Sequence, residues 1–88
     1  MFKVGKIINY YEKIGITIVE LSGGLTVGDN IKIYKDGKLV LYQKIDKIIA
    51  NQKNIPFAKT GDVVALELNE KVQKGSDIFR EGRVEIGS

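Results

Sequence analysis

Apolar residues recur at every second position along most of the chain. Ile14, Ile16 and Ile18 alternate with Gly15, Thr17 and Val19. Ile31 and Ile33 alternate with Lys32 and Tyr34. Leu39 and Leu41 alternate with Val40 and Tyr42, with Ile45 continuing the first set. Val64, Leu66 and Leu68 alternate with Ala65 and Glu67. Successive side chains of a strand point to opposite faces, so each set predicts one buried face. The β-branched residues at these positions suit a pleated surface. No window of helical length joins a helical apolar period to helix caps. Residues 44–53 carry Ile45, Ile48 and Ile49 at a spacing that a short amphipathic helix could use, but the strand pattern just before them favours a strand.

Turn residues fall between the runs. Ser22-Gly23-Gly24 breaks the chain after the second run, and Pro56, the single proline, marks a loop after Ile55. Asp36-Gly37 separates two alternating runs, the sequence of a tight hairpin whose central residues need positive φ. Gly75-Ser76 and Glu81-Gly82 divide the last short runs. About six or seven strands with short connections predict an all-β fold, a small closed or nearly closed antiparallel β-barrel. Residues 2–86 form one domain on this reading, with no linker and no low-complexity segment. Gly87 and Ser88 fall after it, and nothing in the sequence says whether they are native.

A turn motif recurs. Leu25-Thr26-Val27-Gly28-Asp29-Asn30-Ile31 and Ala58-Lys59-Thr60-Gly61-Asp62-Val63-Val64 share it, and Val72-Gln73-Lys74-Gly75-Ser76-Asp77-Ile78 is a looser third copy. Each glycine supplies the backbone freedom of a tight turn, and the following aspartate, Asp29, Asp62 or Asp77, bonds nearby backbone N–H groups. Turn locking explains this placement better than a carboxylate cluster for metal or acid–base work.

Composition narrows the chemistry. Hydrophobic residues make up 43% and charged residues 28% of the 88-residue chain, which argues against disorder. The sequence has no cysteine and no histidine. That removes disulfides, Cys/His zinc sites and every nucleophile activated by histidine. No cofactor is expected. No apolar run reaches membrane-spanning length, and the first residues lack the apolar region of a signal peptide, so a cytoplasmic protein is expected. The net charge of +3 is a mild excess, carried mainly by lysines.

Val4-Gly5-Lys6-Ile7-Ile8-Asn9-Tyr10-Tyr11 leads into Ile14-Gly15-Ile16-Thr17-Ile18-Val19-Glu20-Leu21. Gly24-Leu25-Thr26-Val27-Gly28-Asp29-Asn30-Ile31-Lys32-Ile33, Ile45-Asp46-Lys47-Ile48 and Ala58-Lys59-Thr60-Gly61-Asp62-Val63-Val64-Ala65-Leu66 follow. In this order the chain resembles the second, β-barrel domain of translation-factor GTPases such as elongation factor Tu, and most of all short, free-standing elongation factor-like proteins. A similar barrel is appended to some collagenase-like peptidases. The GTPase half is absent: no G-x-x-x-x-G-K-[ST] loop exists to bind a nucleotide triphosphate. Glu20 and Leu21 stand where elongation factors carry a glycine and an arginine.

The resemblance implies a non-catalytic binding module. Its expected partners are tRNA, ribosomal RNA or a translation-related protein. Tyr10, Tyr11, Lys13 and Lys59 are the RNA-contact candidates, since aromatics stack on bases and lysines pair with phosphates. In the alternative reading the chain is a protein-interaction module related to the barrel of collagenase-like peptidases. Tyr34, Tyr42, Phe57 and Phe79 would serve it if they form one contiguous patch. An enzyme would have to rely on Glu12, Glu20, Glu67, Glu70 or an activated lysine, and ranks below both.

Overall fold

The computed structural model describes residues 2–82. They form ten strands and no helix: β1 (Phe2–Tyr11), β2 (Ile16–Leu21), β3 (Leu25–Thr26), β4 (Asn30–Lys35), β5 (Lys38–Lys44), β6 (Ile48–Ala50), β7 (Lys53–Ile55), β8 (Phe57–Ala58), β9 (Val63–Glu67) and β10 (Asp77–Arg80). Of the strand expected over residues 44–53, Ile48 and Ile49 lie in β6, whereas Ile45 falls in the connection after β5. Residues 83–86 of the expected domain, with Gly87 and Ser88, lie outside the described residues.

Eight strands form one antiparallel sheet in the order β5-β4-β10-β1-β2-β9-β6-β7, and β3 pairs with β8 in a second, two-stranded sheet. The Asp36-Gly37 hairpin between β4 and β5 has both residues at positive φ, 52° and 77°, as its sequence predicts. Inward residues from nearly every strand meet in one core, including Ile7, Val19, Ile33, Ile48, Leu66 and Ile78. A single sheet whose inner face forms one cluster must curl around it. The ladder does not close, however: β5 and β7 are both edges, so the fully paired barrel is corrected to a curled open sheet. Gln43 of β5 spans part of the gap. Its amide nitrogen donates to the Glu67 carbonyl (3.3 Å) and its amide oxygen accepts from Asn69 N–H (2.8 Å), both at the exit of β9.

Two inward faces differ from the sequence pattern. In β2 the buried residues are Thr17, Val19 and Leu21, while Ile14 is exposed and Ile16 and Ile18 are half-buried. Both faces of this strand are apolar, so alternation alone cannot choose between them. Pairing chooses: Val19 lies between Ile7 and Val64, both buried. In β5 the ladder pairs Ile33 with Leu41 but Tyr34 with Leu39, which leaves Val40 as an extra residue in a β-bulge. The bulge turns Leu39 outward beside Tyr42, although Leu41 stays in the core.

Candidate functional site

The turn motif serves the fold. Gly28, Gly61 and Gly75 have φ of 99°, 93° and 90°, a region that side chains rarely adopt. The Asp29 carboxylate accepts the Thr26 N–H (2.8 Å), and the Asp62 carboxylate accepts the Lys59 N–H (3.0 Å). Asp29 is buried and also faces Arg80 Nε (3.8 Å), which donates to the Gly24 carbonyl (3.1 Å). The third copy differs from expectation. Ser76 occupies the aspartate's place and its hydroxyl donates to the Gln73 carbonyl (2.7 Å), whereas Asp77 starts β10 and pairs with Lys3 (3.1 Å). Among the described residues no acids gather closely enough to hold a metal ion.

Of the four RNA-contact candidates, Tyr10, Tyr11 and Lys13 share the β1–β2 end of the sheet and Lys59 lies apart from them. Lys13 lies in the β1–β2 turn, at the Ile16 end of β2. Lys59 lies at the other end, where Leu21 N–H bonds the Asp62 carbonyl. At ~3.3 Å per residue, the length of β2 alone separates them by about 17 Å. Tyr10 packs half-buried against the core, and Tyr11 is exposed with its hydroxyl accepting from the Asn9 amide (3.0 Å). The acids of the enzyme reading are dispersed on the surface: Glu12 pairs with Lys71 and Glu67 with Lys47 (3.4 Å).

What the fold does assemble is an aromatic face. Across β1, β10, β4 and β5 the register sets Lys3, Phe79, Lys32 and Tyr42 in one row, and Lys6, Asp77, Tyr34 and Leu39 in the next. Tyr34 meets Phe79 edge to face with ring centroids 5.5 Å apart. The Lys32 ammonium lies 5.4 Å from the centre of the Tyr42 ring. Leu39 and Tyr42 are each 51% exposed. A shallow groove of about 390 Å³ runs between Tyr34, Gly37, Asp77 and Phe79. Ion pairs are interleaved with the rings, Lys3 with Asp77 and Lys32 with Glu81 (3.9 Å). A hydrogen bond to Glu81 raises the Tyr42 phenol above its ordinary value. Aromatic rings set among charged side chains on one accessible face suit a protein contact, where aromatics are enriched. Of the four aromatics the sequence points to, Tyr34, Tyr42 and Phe79 meet here. Phe57 sits apart on β8. Leu39 and Lys32 are additions that only the register reveals.

No protein-family model matches the chain. The chain is 27% identical over 77 residues to an uncharacterized protease of Methanocaldococcus jannaschii, covering 88% of the chain and 19% of that protein. It therefore spans about a fifth of the relative's length. Its fold matches the crystal structure of the C-terminal domain of a candidate U32 peptidase of Geobacillus thermoleovorans, with a TM-score of 0.83 at 17% identity, covering 92% of this chain and 93% of that one. The selenomethionine variant of that domain matches equally, with 100% of its chain covered. These matches overturn the translation-factor resemblance, and with it the RNA-binding and protein-synthesis reading. The physical reason lies in the motifs. Asp29 and Asp62 lock turns, so the residues that suggested elongation factors specify backbone geometry and carry no RNA chemistry.

Proposed function

We propose that this chain is a non-catalytic accessory domain of the kind found at the C-terminus of U32-type peptidases. On this reading its aromatic face docks on a peptidase body. The observation that carries the proposal is the fold match over 92% of the chain to a peptidase's C-terminal domain. The protease relative supports it independently, because the matched segment is 19% of a much larger protein. The chain's own chemistry agrees: without histidine or cysteine, and with its acids dispersed and partly ion-paired, it offers no activated nucleophile. Tyr34, Phe79, Tyr42 and Leu39 supply the apolar contact area that a docked body would cover, and the charged groups between them would fix its orientation.

Mass spectrometry of a mixed peptide pool incubated with the purified chain tests the non-catalytic part. The expected result is no cleavage above a buffer control. Cleavage that follows the chain through purification and disappears on Glu67→Gln or Glu12→Gln would overturn it.

A further inference from the structure

A second concavity, lined by different residues from the aromatic groove, lies where the β4–β5 end of the sheet meets the segment before β10. It holds about 230 Å³ and is lined mainly by carbon atoms of Tyr10, Val40 and Val72, with Ser76 at its base. Val72 is buried in the core, whereas Val40 is 43% exposed because the bulge in β5 takes it out of the ladder. Bulges re-aim side chains at sheet edges and beside binding sites, and this one aims a valine into the cleft wall.

Two ammonium groups stand at the cleft. Lys71 is paired with Glu12. Lys35 pairs with no carboxylate among the described residues. Its Nζ lies 3.4 Å from where a side chain on Gly75 would begin, so the lysine folds over the Gly75 turn beside the cleft. The arrangement is a small apolar hole beside a cation that no carboxylate among the described residues pairs with. Drug-sized ligands need roughly 300–1,000 Å³, so this volume suits a single apolar side chain. A cation beside such a hole selects a carboxylate attached close to the apolar group.

We infer that this cleft binds the C-terminal end of a peptide, with the last apolar side chain between Val40 and Val72 and the terminal carboxylate on Lys35. The choice of a peptide over other short apolar carboxylates rests on the accessory-domain reading, since peptidases generate new C-termini. A domain that holds cleaved or trimmed ends would keep the substrate near the body.

The test is a titration of the ¹⁵N-labelled chain followed by NMR. The probes are an N-acetylated tetrapeptide ending in leucine with a free carboxylate, the same peptide as its C-terminal amide, and octanoate. The expected result is saturable shifts at Val40, Val72, Gly75 and Ser76 with the acid, at an affinity in the approximately millimolar range. The amide, and the acid against Lys35→Gln, should each bind about three- to fivefold more weakly, as losing one partly exposed charge pair implies. Lys38→Gln should leave binding unchanged. Equal response to acid and amide, shifts confined to other surfaces, tighter binding of octanoate, or no saturable shift up to the solubility limit would each overturn the inference. None of these outcomes bears on docking through the aromatic face, which is read separately in a tethered chimera.

Discussion

Removing the Asp29 carboxylate should cost far more stability than removing the equivalent Asp62 carboxylate. Both accept one backbone N–H, at 2.8 Å and 3.0 Å. Their surroundings differ. Asp29 is buried and faces the mostly buried Arg80 guanidinium, whereas Asp62 is half-buried and has no ion pair among the described residues. Asp29→Ala takes the carboxylate away from the Thr26 N–H and leaves a mostly buried cation short of its counter-charge. A lost charged hydrogen bond costs about 1.5–3 kcal/mol, and the unbalanced arginine adds to it, giving about 3 kcal/mol in all. Asp62→Ala, whose stranded N–H reaches water, should cost about 1 kcal/mol. In a domain of this size each kcal/mol lowers Tm by about 4–8 °C, so the expected drops are about 12–24 °C and about 4–8 °C. Asp29→Asn keeps an oxygen for Thr26 and should fall between the two. Urea unfolding and thermal melts followed by far-UV circular dichroism measure all three. Equal losses in the two alanine variants, or an Asp29→Ala loss within about 0.5 kcal/mol, would refute the assignment of Asp29 and Arg80 as a buried pair.

Gln43→Ala leaves the Glu67 carbonyl and Asn69 N–H without their partner and should destabilise the domain by about 2 kcal/mol, read by urea unfolding. The buried Thr17 hydroxyl has no hydrogen-bond partner among the described residues, so Thr17→Val should raise stability by about 1 kcal/mol in the same assay. Tyr42 donates to Glu81 as a neutral phenol, which raises its folded value above 10.0. The stabilisation from this contact is complete below the unfolded value and is lost as pH rises through the raised folded one. Tyr42→Phe should therefore remove the alkaline part of the phenolate absorbance rise and flatten the fall in stability above about pH 10.

Local chemistry was legible in the sequence where a few neighbouring residues decide it. Asp36-Gly37 announced its hairpin, and Gly28-Asp29 and Gly61-Asp62 announced their turns. The inward face of β2 was not legible, since Ile16 and Ile18 compete with Val19 and Leu21 and only pairing with β1 and β9 decides. Nor was the bulge at Val40, which exposes Leu39 and shapes the cleft. Tyr34, Tyr42 and Phe79 could be named as contact candidates, but their meeting depends on β10 pairing with β4 across a long stretch of chain. Phe57 is as exposed as an interaction residue should be, at 61%, and still lies elsewhere. The translation-factor resemblance failed for a related reason. It rested on turn-locking residues, which any chain with this backbone needs whatever it binds.

The most direct test of the accessory-domain account is a graft. This chain replaces the matched segment in the Methanocaldococcus jannaschii protease, and peptide cleavage is compared with that of the protease lacking the segment. Covalent attachment raises the effective concentration of the domain, so even a weak heterologous interface will register. The account predicts that the graft restores activity lost on truncation, and that Tyr34→Ala with Phe79→Ala abolishes the rescue while the domain remains folded by circular dichroism. A graft no better than the truncated protease, or one indifferent to the loss of both rings, would contradict it.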